Sequence, residues 1–457
     1  MGITSAIAEF ASRTRFADLP SEAVTQAKRA ILDTLGVAIA GSVEPCARIA
    51  ADVVRADAGR PVSTVIGQGF AAPARAAALV NGVAAHALDY DDVNSSMRGH
   101  PSPPLLPALL AAGEETGATG AALIEAFVLG FEVECKIGRG LGMSHYPHGW
   151  HATSTLGTLG AAVVAGKLYG LTRDQMVMAL GIAVSLAGGS RQNFGTMTKP
   201  LHPGAAAQNG VLAAQLARGG FTADHTIVEA PLGFLNLFSP AADARPERVL
   251  ESLGKPFDIV SPGISVKKYP CCFNTHRPLD ATLALRQQHG ATAEQVDRVA
   301  VTVPRGSVSA VIHHRPETGL EGKFSLEYCV TAALIDGRVV LDTFTDGAVQ
   351  RPQSQALLRR VETVEVDGAS AEAYADVQLF MRDGQVLRRR VNEPRGAPTD
   401  PLSWDEIAAK YRDCAGRVIG REATEGSIDR IAELDKLPAI SDLMRLVAAQ
   451  PAAAAAV

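Results

Sequence analysis

The sequence predicts a mostly α-helical protein, with one large all-helical domain drawn from both chain ends and a smaller α/β domain inserted between them. Three observations carry this. From residue 20 to about 260, Ala, Leu and Gly dominate and apolar residues recur at helical spacing. After Pro262-Gly263 the pattern changes to the two-residue alternation of strands. Beyond about residue 397 a capped helical pattern returns. The corresponding boundaries are 1–263, 264–396 and 397–457.

In the first segment, SEAVTQAKRAILDTLGVAIAG is a clean amphipathic helix closed by Gly41. The Ala- and Gly-dense TLGTLGAAVVAGKLYG predicts helices in close approach within a compact core. In the second, VDRVAVTV (296–303) and part of RVETVEV (360–366) alternate as strands, and YADVQLFMRDGQVLRRRV (374–391) predicts a hairpin turning at Asp383-Gly384. The turn-rich NEPRGAPTD (392–400) closes this unit, and Ser403 with Glu406 forms a capping box for the next helix. The tail PAAAAAV is expected to fray. No 20–50-residue repeat marks a solenoid.

Composition narrows the function. Lys and Arg number 43 against 48 Asp and Glu, and the net charge of −5 is spread without blocks, which offers no footprint for nucleic acid or anionic membrane. Small molecules and copies of the chain itself are the expected partners. The first residues lack a secretory pattern, and apolar runs such as Met176 to Leu186 fall well short of the roughly 20 residues a bilayer span needs, so a cytoplasmic location is expected. Six scattered cysteines (46, 135, 271, 272, 329 and 414) fit reduced thiols, and no CxxC pair exists for a cluster or zinc site.

Five polar clusters stand among small and apolar neighbours. In HALDYDDVNSSMRGHPSPPLLP (86–107), Asp89, Asp91 and Asp92 are followed by Arg98 and His100 before Pro103 and Pro104 open a helix. Capping and turn formation explain the acids, and a metal site is the alternative. HYPHGWHATSTLG (145–157) spaces His145, His148 and His151 by three, a zinc-like spacing that Pro147 and Gly149 argue against; His151 is expected to face a pocket at the start of a helix. FGTMTKPLHPG (194–204) sets Lys199 on a loop ahead of a helix expected near Pro203, where an anion would meet both the ammonium and free helix N–H groups. A surface lysine over a helix end is the plain reading. VKKYPCCFNTHRPLDATLALR (266–286) offers Lys267 and Lys268, then His276 at a helix start, with Cys271 and Cys272 read as small buried hydrophobes. GLEGKFSLEYCVTAALIDG (319–337) carries Lys323 and Tyr328.

Together and in this order, the five blocks resemble the MmgE/PrpD family, which includes 2-methylcitrate dehydratase, cis-aconitate decarboxylase and iminodisuccinate epimerase. The likeness covers HALDYDD with HPS, GWHATSTLG with GKLYGL, FGTMTKPLH with NGVLAAQLARGGFTA, KKYPCC with THRPLDA, and KFSLEY. It implies that the α/β domain acts as a lid, that the protein is a homodimer, and that it works without metal or organic cofactor. The resemblance carries pocket residues over to Asp89, His100, His151, Lys199, His276 and Tyr328, with Arg191, Lys267, Lys268 and Arg98 as further substrate-binding candidates. Compared with decarboxylase members, one extra residue separates Asp89 from His100, Val93 replaces a threonine, and Arg191 replaces an apolar side chain.

The implied chemistry is proton abstraction beside a carboxylate. Lys199 with His100 would hold the carboxylate and stabilise an enediolate-like state. His151 would transfer the proton, Asp89 would orient a histidine, and His276 or Tyr328 would donate a proton. The expected function is a cofactor-independent hydro-lyase acting on a small di- or tricarboxylate. An epimerase is the alternative; a decarboxylase or a non-enzymatic carboxylate binder ranks below both.

Overall fold

The computed structural model describes residues 2–57, 59–239, 243–367 and 373–448; the tail expected to fray lies outside them. Helix makes up 55% and strand 9%, which bears out the mostly-α reading. Among the described residues no single helix is long and apolar enough to cross a membrane.

One apolar core gathers side chains from Ile3 through Val266 and again from Leu402 through Val447. The two chain ends therefore share a core. The contact is close where Tyr411, on the Trp404–Ala415 helix, packs against Gly36 of the Ser21–Gly41 helix: a β-carbon at Gly36 would lie 2.7 Å from the Tyr411 ring. The buried Lys410 ammonium reaches Asp33 at 2.7 Å across the same junction. Ser403 and Glu406 form the expected capping box.

Between these ends a second core forms on a four-stranded sheet. Its strand order is Val361–Val366, Val296–Pro304, Ala375–Met381, Val386–Val391, with the first pair parallel and the other two antiparallel. The last pair is the hairpin expected at Asp383-Gly384, and Gly384 there adopts φ 90°, a conformation glycine takes without a Cβ penalty. The short Ser63–Val65 and Phe70–Ala72 ribbon, too brief to show alternation, was not foreseen.

The Ala74–Ala87 and Thr198–Arg218 helices position the site. They cross backbone to backbone at Gly82 and Gly204: a β-carbon on Gly82 would sit 2.6 Å from the Gly204 Cα. The second helix starts at Thr198 rather than near Pro203, so Lys199 lies in its first turn and not on a preceding loop. Pro200 falls in the first turn, where N–H groups lack intrahelical acceptors, whereas Pro203 lies inside the helix and removes the bond its N–H would make to the Lys199 carbonyl.

Candidate active site

Glycine contact at the crossing brings the ends of these two helices together. Lys199 Nζ lies 2.8 Å from His86 Nε2 and 2.6 Å from Asp89 Oδ1, all buried. Lys267 Nζ meets the other Asp89 oxygen at 3.2 Å and the Asp89 carbonyl at 2.8 Å. Asp89 itself adopts φ 51°, as does Arg98, so the loop between them begins and ends on left-handed residues that cost energy to hold. His100, just past that loop, donates its backbone N–H to Thr153 Oγ1 on the Ala152–Leu168 helix. A β-carbon on Gly99 would come within 2.9 Å of the Thr153 nitrogen, so glycine is needed for this docking.

Hydrogen bonding fixes the imidazole tautomers. Lysine can only donate, so His86 Nε2 accepts and its Nδ1–H points to Asp91, 2.9 Å away. His100 Nδ1 faces Asp91 Oδ2 at 2.8 Å and the Asp92 carbonyl at 2.9 Å, which leaves Nε2 unprotonated, 3.9 Å from Asp89. His151 and His202 share one proton between Nδ1 atoms 2.9 Å apart. The His86 ring is 4.6 Å from that of His100 and 5.8 Å from that of His151.

Burial and nearby cations keep these rings neutral. Burial lowers His86 to about 3, with Lys199 adding to it against the pull of Asp91. His151 is driven well down by burial and then by Lys199. Burial and the Lys199 charge take His202 to about 4, and His100 is also lowered, chiefly by burial. Burial would raise Asp89, but Lys199 and Lys267 overcome it and hold the carboxyl far below the usual range. Asp91 is likewise low despite burial because two imidazoles face it. Asp92 has no cation beside it: burial lifts it to about 8, and Ser102 supplies its hydrogen bonds. Lys267 is raised, since Asp89 and Asp91 outweigh its desolvation.

His100 and His151 open onto a cleft of about 320 Å³, large enough for a small carboxylate. Arg98, Tyr146, Cys272, Asn274 and Arg277 complete the part of its wall that matters here. Lys199 is not part of that lining; its ammonium lies against Phe194 and Phe324, 5.2 and 5.0 Å from the ring centres. A larger hollow of about 540 Å³ beside Arg315 and Arg359 contains none of the clustered groups.

The structure thus gathers Asp89, His100, His151, Lys199 and Lys267, and separates other candidates from them. Tyr328 is fully buried and donates its hydroxyl proton to the Thr343 carbonyl. His276 is buried between the rings of Tyr269 and Phe273 and forms no part of the cleft wall. Arg191 spends its guanidinium on the Tyr146 and Ser309 carbonyls while stacked 3.7 Å over the Tyr146 ring. Lys267 points into Asp89 and is inaccessible, and Lys268 faces outward beside Asp280. Arg98 stays at the cleft, donating to the Met143 carbonyl. Asp91, not Asp89, orients the histidines, because Asp89 is occupied by two ammonium groups. His145 bonds to Phe238 and Thr155 and His148 is exposed, so the three-spaced histidines do not converge.

From sequence, His86 and His202 have no role, Asp91 reads as a capping acid or metal ligand, and Cys272 as a small buried hydrophobe. HALDYDD contains His86 and Asp91, but only a partner brought from residue 199 reveals what they do. As for metal, one donor atom each from His86, Asp89, Asp91 and His100 lies within 4.8 Å of the others. A cation there would have to displace two lysines from Asp89 and two imidazole N–H groups from Asp91.

Family models for the MmgE/PrpD N-terminal domain and the MmgE/PrpD C-terminal domain match residues 5–247 and 269–435. The chain is 31% identical to a cis-aconitate decarboxylase of Aspergillus terreus, over 98% of this chain and 96% of that protein. It is 30% identical to the cis-aconitate decarboxylases of Homo sapiens (97% and 94% covered) and Mus musculus (93% and 89%). The chain belongs to the MmgE/PrpD family.

Proposed function

We propose that this chain is a cofactor-independent lyase that removes a proton beside a carboxylate of a small di- or tricarboxylate, with elimination of water as the leading reaction. The observation that carries this reading is the buried Lys199 ammonium held within 3 Å of both Asp89 and a neutral imidazole, next to a cleft faced by two more neutral imidazoles. Abstracting such a proton adds charge to an existing anion, and a fixed cation in a water-poor site offsets that cost most effectively.

In this reading the substrate carboxylate is drawn to the Lys199 charge and to Arg98 at the cleft. His100 serves as base: its ring lines the cleft and Asp91, by holding Nδ1, fixes the tautomer that leaves the Nε2 lone pair to take a proton. His151, backed by His202, lies alongside as hydrogen-bond partner or second proton carrier. Lys267 keeps Asp89 ionised and in place. Residues 264–396 form the covering unit over the helical body, and a homodimer is the expected assembly.

Decarboxylation is the second reading, favoured by the activity of the relatives. Proton NMR in deuterium oxide with 2-methylcitrate, citrate, cis-aconitate and iminodisuccinate separates the possibilities. Water loss from a citrate supports the leading reading, carbon dioxide release from cis-aconitate supports the second, and exchange without an alkene indicates an epimerase. A folded protein that leaves all four unchanged refutes the carbon-acid reading.

A further inference from the structure

Cys272 has no assigned part in this chemistry, yet it stands in the cleft wall with His100 and His151. It belongs to the apolar cluster built on the inserted sheet, whereas His151 is the N-cap residue of the Ala152–Leu168 helix and His100 docks on that helix. The charges bearing on its sulfur are Asp89, Lys267 and Lys199, the ion cluster of the site itself, and the Asn274 backbone N–H points to it. Its own N–H is tied to the Lys323 carbonyl, which fixes the backbone that carries the thiol. Its neighbour Cys271 is turned instead into a separate apolar cluster, against Thr275 Oγ1 at 3.1 Å.

We propose that Cys272 is a further catalytic residue, its S–H serving as the general acid that meets the substrate in that cleft. The inference rests on the carbon-acid reading above. In the elimination, His100 Nε2 takes the proton next to the carboxylate and the C–H electron pair enters the enediolate. That pair then forms the alkene as the C–O bond breaks, and the departing hydroxide takes the thiol proton to leave as water. The resulting thiolate, close to Lys267 and Lys199, recovers a proton from solvent while the imidazolium returns its own, so the enzyme ends unchanged. Burial, reinforced by Asp89, raises the thiol to about 11, so at neutral pH it holds the proton it has to give.

This assigns Cys272 work that a passive apolar filler would not do, and the two differ in how proton exchange and product formation separate. With Cys272→Ala and the near-isosteric Cys272→Ser, product formation is expected to fall about 10²- to 10⁴-fold. Exchange of the substrate C–H with deuterium oxide, which needs only the imidazole, should persist within about tenfold of wild type. Product formation within about threefold of wild type in a folded variant overturns the proposal, as does equal loss of exchange and product. A second measurement needs no turnover: iodoacetamide at pH 9, with peptide mass spectrometry, should label Cys272 in the free protein and be blocked by citrate, while half-buried Cys46 labels in both. Failure to label, or labelling that citrate leaves unchanged, overturns it. Wild-type inactivity on all four substrates would instead count against the carbon-acid reading, leaving the labelling result to decide where the thiol faces.

Discussion

Lys199→Met is the most informative perturbation, because it removes one charge from a buried network and leaves its partners behind. Removing one partner of a buried ion pair costs about 3–5 kcal/mol. Lys267 still holds Asp89 at 3.2 Å, so the lower end, about 3 kcal/mol, is expected. An unfolding entropy of about 2.1 cal/mol/K per residue gives roughly 1 kcal/mol/K for a chain of this length, and hence a fall in Tm of about 3 °C. Activity should drop about 10²- to 10³-fold, as when a preorganised stabiliser of developing negative charge is lost. Asp89 is depressed in the fold, so its stabilisation is fully present above its unfolded value near 3.9 and fades as the pH falls towards the folded one. The gap between wild type and variant should therefore narrow in acid. Calorimetry at pH 7 and at about pH 2.5, below the unfolded carboxyl value, reads the stability, and NMR reads the turnover. Asp89→Asn added to Lys199→Met should cost less than the two single losses summed, since both substitutions break the same ion pair. Strictly additive losses, or a Tm within about 1 °C of wild type, would refute the coupling.

Other perturbations probe the parts around this pair. Asp91→Asn should lower kcat about 10²-fold or more with little change in KM, and should move the acid limb of the kcat/KM profile to lower pH, because Asp91 raises the His100 value. Arg191→Ala frees the Tyr146 and Ser309 carbonyls and should speed proteolysis between residues 305 and 311, measured by limited digestion, while lowering Tm by about 1–3 °C. Gly82→Ala forces a methyl into the Gly204 backbone, and should cost about 1–3 kcal/mol by denaturant titration together with activity, since the same crossing sets the Lys199–His86 distance. Asp92 is raised in the fold, so its contribution is lost as pH rises from its unfolded value towards about 8; Asp92→Asn should gain on wild type by about 1.4 kcal/mol per pH unit between pH 5 and 8, read from urea midpoints.

Helical patterning, the Asp383-Gly384 hairpin and the Ser403 capping box were legible because each is decided by neighbours within a few residues. The start of the Lys199 helix was not. Pro203 looked like an N-terminal marker, but the helix begins one turn earlier, with Pro200 in its first turn and Pro203 tolerated inside it. At the site, motif order found Asp89, His100, His151 and Lys199, residues whose types alone suggest chemistry. Their division of labour was hidden, because it depends on which acid the lysines reach first. Lys199 and Lys267 take Asp89, so orienting the imidazoles of His86 and His100 falls to Asp91. Tyr328 and His276 show the converse: reactive side chains near a helix start, the first turned into an apolar core and the second packed between the rings of Tyr269 and Phe273.

Why bury so much charge to handle one proton? A base at neutral pH must be unprotonated before substrate binds, and must hold a proton well once it has taken one. The fold meets the first requirement by burial and by lysines that lower His86, His151 and His202. Left so, the imidazoles would be poor bases. An arriving carboxylate changes the balance, because its negative charge in a low-dielectric cleft favours an imidazolium beside it. The substrate therefore raises the proton affinity of the group that will attack it, and does so only when seated. A solvent-exposed histidine would show little of this effect, since water screens the added charge. The desolvation cost carried by Asp89, Lys199 and Lys267 is thus tied to function: it maintains the dry, cation-biased surroundings in which one further anion alters the chemistry of its neighbours.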